Sequence, residues 1–95
     1  MKILALEKDL PKAISEAYQP LLKKEAQGVW ELQQSGALRE IYFDGDQHTA
    51  VLVLECSDLA AARQLSATLP LVQAGLISFD LIPLVPYDGY ARLFA

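Results

Sequence analysis

The chain has 95 residues, of which 53% are hydrophobic, and a formal net charge of −4. This length supports one domain. The acidic balance argues against nucleic acid, whose phosphates need clustered Lys and Arg; the basic residues are scattered and Lys23-Lys24 is the only adjacent pair.

A mean hydropathy of +0.21 is high for so short a chain, and surplus apolar surface on a small protein is usually covered by another chain. The single cysteine, Cys56, excludes an internal disulfide and fits a reducing cytoplasm. Lys2 is followed by only four apolar residues before Glu7-Lys8-Asp9, too few for a signal peptide. No stretch approaches the roughly 18 apolar residues of a membrane helix.

Ile3 to Leu6 reads as a first strand. Asp9 and Pro11 then open a helical piece over 11–18, because Asp is a good N-cap and Pro is tolerated in a first turn. Pro20 interrupts the helical spacing, lacking an N–H and clashing with the preceding turn. The helix restarts with Pro20 near its first position and runs to Gln34. Leu21, Leu22, Glu25, Val29 and Leu32 share one face, with Trp30 on its flank. Ser35-Gly36 ends it, Gly accepting the left-handed position after the last turn.

Leu38 to Phe43 is a second strand rich in β-formers. Asp44-Gly45-Asp46-Gln47 is a turn in which Gly45 supplies positive φ. Thr49 to Leu54 is the third strand, paired with the second as a hairpin. Its run Ala50-Val51-Leu52-Val53-Leu54 has no polar residue to alternate with, so neither face of the strand can meet water cheaply. Ser57-Asp58 caps a helix through Leu69, buried along Leu59, Ala62, Leu65 and Leu69, and Pro70 stops it. Leu71 to Gly75 connects to a fourth strand, Leu76 to Pro83, whose proline points to an edge.

The order is β-α-β-β-α-β, an α+β, ferredoxin-like arrangement with a four-stranded antiparallel sheet. Both helices pack on one sheet face, and a second subunit is expected on the other. Residues 1–84 form the single domain. Residues 85–95 form a C-terminal tail that packs on the domain or on the partner, since Tyr87, Tyr90 and Phe94 have no further element to bury them.

From Glu31 onward the chain resembles the muconolactone isomerase family of dimeric α/β barrels. Glu31-Leu32-Gln33, Ser35-Gly36, Arg39, Leu69-Pro70-Leu71 and Ile82-Pro83-Leu84 carry the resemblance, in the same order and nearly the same spacing. It implies a cofactor-free isomerase, forming homodimers or higher assemblies, that shifts a double bond in a small lactone or carboxylate from aromatic catabolism. The chain departs from the family at the hairpin, where Asp44, Asp46 and Gln47 replace aromatic and basic residues. Its tail is also longer and more apolar. These departures point to a sister group with its own ligand or none.

Moving a proton between carbons needs a base of tuned pKa, a donor for the enolate oxygen and little water. Arg39 is the candidate to hold a ligand carboxylate by a bidentate pair, or else pins helix to sheet through Glu31 or Glu55. Alternation along the second strand sets Glu40 and Tyr42 on one face with Leu38, and Arg39 on the other with Ile41 and Phe43. Glu40 or His48 would move the proton and Tyr42 would donate a hydrogen bond. His48 also reads as a solvated loop residue, and Glu55 as a strand-end carboxylate at the solvent edge. Trp30, with Tyr18 and Phe79, is a candidate to line an aromatic pocket or simply the core. One histidine without a carboxylate cluster makes no metal site, and Cys56 reads as a small hydrophobe. The alternative is a non-catalytic dimeric ligand-binding or assembly module.

Overall fold

Strand β1 (Lys2–Asp9) lies in the middle of the sheet, and the alternation of its side chains sets which residues the helices cover. The computed structural model describes residues 1–95. After β1 come α1 (Ser15–Tyr18), a single 3₁₀ turn (Gln19–Leu21), α2 (Leu22–Gln34), β2 (Leu38–Phe43) and β3 (Ala50–Glu55). Helices α3 (Leu59–Ser66) and α4 (Pro70–Gln73), β4 (Ile77–Leu84) and a terminal 3₁₀ segment (Gly89–Phe94) complete the chain. The four strands are antiparallel in the order β2-β3-β1-β4, the ferredoxin-like topology. Pro83 does fall on an edge strand, β4.

β1 is longer than its apolar run. Lys8 and Asp9 pair with Ser78 and Ile77 of β4, so the ladder carries the polar residues into the sheet. Pro11 accordingly opens no helix: α1 starts only at Ser15, with Ile14 at its N-cap. Pro20 sits in the first turn of the 3₁₀ segment, where a missing N–H is harmless. Gly36 takes φ +85° just after α2, the left-handed geometry that a side chain resists.

Helix α3 stops at Ser66, earlier than the apolar stripe implies. The Ser66 and Thr68 hydroxyls donate to the carbonyls of Arg63 and Leu65 at 3.1 and 2.7 Å, competing with the helix's own bonding. Leu69 is then extended, as a residue before proline prefers, and Pro70 begins α4 instead of ending a helix. At the head of α3, the Asp58 side chain accepts from the Ala61 N–H at 2.8 Å.

A bulge between Leu38 and Glu40 shifts the β2–β3 register. Leu38 therefore joins Ile41 and Phe43 on the helix side instead of sharing a face with Glu40 and Tyr42. The hairpin turn also differs from its expected form. Asp44 accepts from the Asp46 and Gln47 N–H groups at 2.7 and 2.8 Å, and positive φ falls on His48, at +57°, not on Gly45.

The helix side of the sheet buries Ile3, Ala5, Leu38, Leu52 and Leu54 with Ala62 of α3. A second cluster joins Leu71, Leu76 and Ile77. Only twelve of the 95 residues are buried, so much of the apolar composition stays at the surface. The opposite sheet face carries Leu4, Leu6, Val51, Val53, Tyr42, Ile82 and Leu84, and none of these belongs to either cluster. In the tail, the 3₁₀ segment supplies secondary structure where none was expected, yet Tyr87, Tyr90, Leu93 and Phe94 remain exposed. No helix is long and apolar enough to cross a membrane.

Leu52→Ala is expected to lower stability by about 2–5 kcal/mol, and Gly36→Ala by about 1 kcal/mol, in urea unfolding followed by circular dichroism. An unchanged midpoint for Leu52→Ala would remove that residue from the core.

Candidate active site

On the helix side of β1, Ile3 and Ala5 fill the core, but the next two positions of that face are Glu7 and Asp9. Polar side chains there interrupt the packing between the two apolar clusters. A cavity of about 650 Å³ opens at that place. Leu22, Glu25, Ala26 and Val29 of α2 roof it, one helical face at spacings of three and four. Ala50 keeps the floor low, and Ile41, Phe43, Gln47 and His48 form its wall and rim on the hairpin side.

Three carboxylates line this cavity, and each lies near a donor from another part of the chain. Glu7 Oε1 accepts from the Ala50 N–H at 3.0 Å, just beyond the last β1–β3 ladder pair. Asp9 Oδ1 accepts from the Tyr18 hydroxyl at 3.0 Å. Glu25 Oε1 accepts from the Leu71 N–H at 3.0 Å, satisfying a free donor in the first turn of α4. Neither ion pair of the chain involves these groups; the pairs are Met1 with Glu55 and Lys8 with Asp80, each at 2.9 Å.

Burial pushes the Glu7 carboxyl from 4.5 up to about 7. The neighbouring Asp9 carboxyl acts in the same direction, while the Ala50 N–H opposes it. Burial likewise raises Glu25. Tyr18 is pushed up to about 12, first by burial and then by its bond to Asp9, so its hydroxyl remains a donor at neutral pH.

His48 reaches the cavity because of its left-handed backbone, a conformation His tolerates better than most residues. Its ring stacks on Phe43, with centroids 3.9 Å apart and planes 20° apart. Arg39, Glu40, Tyr42 and Trp30 do not line the cavity. The Arg39 Nε donates to the Gly36 carbonyl at 2.6 Å, and Arg39 forms an ion pair with neither Glu31 nor Glu55. Glu40 and Tyr42 face the other side of the sheet, where the Tyr42 hydroxyl donates to Glu40 at 2.7 Å. Trp30 is 60% exposed.

Glu55 lies at the solvent edge, and the chain's terminal ammonium holds its carboxyl low. Burial raises the Cys56 thiol. No group of three or more His, Cys, Asp or Glu is placed to hold a metal ion. Glu7, Asp9 and Glu25 are thus the site residues that patterning passes over, while Tyr18, a candidate pocket aromatic, does line the cavity. The signal was present: Glu7 continues the Ile3-Ala5 alternation, and Glu25 interrupts the apolar stripe of α2.

Because folding raises Glu7, the native state holds a proton that the unfolded chain has lost between about 4.5 and 7. Stability from this group is therefore present at low pH and is lost as pH rises through that window. Glu7→Gln is expected to melt higher than the parent at pH 8, with the gap closing by pH 5. Equal gaps at both pH values in thermal melts would contradict the burial of this carboxyl.

The sequence matches no protein-family model and no curated protein. Among solved structures, muconolactone isomerase superposes with a TM-score of 0.76 at 17% identity, covering 93% of this chain and 92% of that one. The 5-chloro-2-hydroxyhydroquinone dehydrochlorinase TftG of Burkholderia phenoliruptrix AC1100, in complex with 2,5-dihydroxybenzoquinone, superposes at 0.73 and 13% identity, covering 94% and 98%. At such identities the likeness speaks for the architecture, and by fold this chain is muconolactone isomerase-like.

Proposed function

We propose that this protein is an isomerase-like enzyme that moves a proton within a small lactone or related carbonyl compound from aromatic catabolism, without a cofactor. The observation that carries the reading is Glu7. It is a carboxyl titrating near neutrality in an apolar-walled cavity, and a base works best with a pKa near the operating pH. The likeness in fold to muconolactone isomerase and to the dehydrochlorinase supports the chemistry class.

In this mechanism the Glu7 carboxylate takes a proton from a carbon beside the carbonyl. The electron pair moves into the ring system and negative charge gathers on the carbonyl oxygen. The His48 ring, on the rim of the cavity, supplies a hydrogen bond to that oxygen. The protonated Glu7 then returns the proton to a different carbon, so the double bond shifts and no atom is gained or lost. The Asp9–Tyr18 pair holds negative charge beside Glu7 and keeps its pKa high. The roles first given to Arg39, Glu40, Tyr42 and Trp30 pass to these residues, because a base must reach its proton and those four side chains lie off the cavity.

The reading includes a homodimer in the cytoplasm, with a second copy seated on the open sheet face. That face is apolar and uncovered: Tyr42 is 58% and Ile82 41% exposed. Arg39, Glu40 and Tyr42 would belong to or border this interface, and the apolar tail would cross onto the partner.

Activity against enol-lactones is expected to rise with pH to a plateau above about 7, following Glu7. Glu7→Gln should lower kcat by about 10²–10⁴-fold, the usual share of a general base, with little change in KM. Turnover that survives Glu7→Gln would overturn the mechanism. If no lactone is turned over, the protein is a binding or assembly module. Sedimentation equilibrium should give a dimer that Val53→Lys converts to monomer; a monomeric parent, or a stable dimer after truncation at Val85, would count against the interface and the tail contact respectively.

A further inference from the structure

We infer that the cavity selects small ring compounds that carry no negative charge and present hydrogen-bond donors. This inference rests on reading the cavity as a ligand site. Its lining contains Glu7, Asp9 and Glu25 but no lysine or arginine. Lys8 lies between two of these carboxylates in sequence, yet it projects to the opposite face and pairs with Asp80 at 2.9 Å. Arg39, the basic residue suited to clamp a ligand carboxylate, is tied to the Gly36 carbonyl outside the cavity. An anion entering here meets three acidic groups in a partly desolvated space, where repulsion between like charges is strengthened.

The same carboxylates are well suited to donors. The Ala50 and Leu71 N–H groups are directed at Oε1 of Glu7 and of Glu25, and the Tyr18 hydroxyl at Oδ1 of Asp9. A carboxylate accepts through both oxygens, so each retains acceptor capacity for a ligand hydroxyl or ammonium. Apolar walls from Val29, Ile41 and Phe43 suit a ring between those contacts. The chain thus has the architecture of a lactone isomerase with a cavity that disfavours a carboxylated lactone.

The test is titration calorimetry with matched probes: gentisate, which carries a carboxylate on a hydroquinone ring, and its uncharged methyl ester. The ester is expected to bind at least about tenfold more tightly at pH 8. Dopamine, which adds an ammonium to a dihydroxylated ring, separates the donor sources: tighter binding than the ester assigns an ammonium, weaker binding assigns hydroxyls. Glu25→Gln keeps an acceptor for the Leu71 N–H and should bring ester and acid close to parity. In the parent protein the ester preference should shrink at pH 6, where Glu7 gains a proton among Asp9, Tyr18, Glu25 and His48, the titratable groups facing it. Gentisate binding as tightly as its ester, no binding of the ester, or a preference untouched by both Glu25→Gln and pH would overturn the inference. Selective binding without turnover would sink the proton-transfer mechanism alone; rapid turnover of carboxylated and uncharged lactones alike would sink only the selectivity.

Discussion

The rest of the structure depends on carboxylates placed on the helix side of the central strand, Glu7 half-buried and Asp9 at the open end. β1 has neighbours on both sides, so its helix-facing side chains must be covered by α2 and α1. That face begins as core, with Ile3 and Ala5 inaccessible to water, and continues as Glu7 and Asp9. Placing acids under helices is costly unless their oxygens are bonded. Here each is held by a donor from elsewhere: Ala50 at the start of β3, Tyr18 of α1 and, for the Glu25 that faces them, Leu71 of α4. No buried polar side-chain atom lacks a partner. The same contacts tie β1 to β3 and to α1, and α2 to α4.

The arrangement satisfies the hydrogen bonds without neutralising the charge. No cation pairs with the three acids, so protonation is what relieves Glu7, and its pKa moves up toward neutrality. Such a group lowers stability when ionised and is well matched to proton transfer. The cavity follows from the same feature. Two apolar clusters form on either side of the acids, and the small side chain of Ala50 beside Glu7 leaves the space between them open.

The other side of the sheet has the opposite character. Beside Glu40 and the Lys8–Asp80 pair, its middle is apolar and lacks cover; the longest dimension of the chain is 57 Å against 29 and 20 Å for the other two. A chain of this length packed as one globule has a radius of gyration of about 12 Å, against the 15.4 Å found. One face thus encloses a site, and the other leaves apolar area that a second chain would cover.

Much of the fold was legible in the sequence, because alternation, helical spacing and the prolines act locally. β2 has the bounds its β-formers predict, and the uniform run Ala50–Leu54, with no face suited to water, lies in an inner strand: Leu52 and Leu54 are buried on one side, while Val51 and Val53 face the other. Local signals misjudged the places where long-range bonding prevails. The β4 ladder extended β1 into polar residues, hydroxyl-to-carbonyl bonds shortened α3, and the bulge at Leu38/Glu40 changed which face Leu38 joins. The site was the least legible part. Of the candidate site residues that the pattern singles out, Tyr18 and His48 reach the cavity, His48 with a positive φ that no residue pattern announces. Glu7, Asp9, Tyr18 and Glu25 belong to three different elements, each unremarkable along the chain. The sequence by itself determined the order of strands and helices and the surplus of apolar surface, since both follow from neighbouring residues. Only the tertiary structure decided which acids meet in one cavity, because that depends on contacts between groups far apart in the chain.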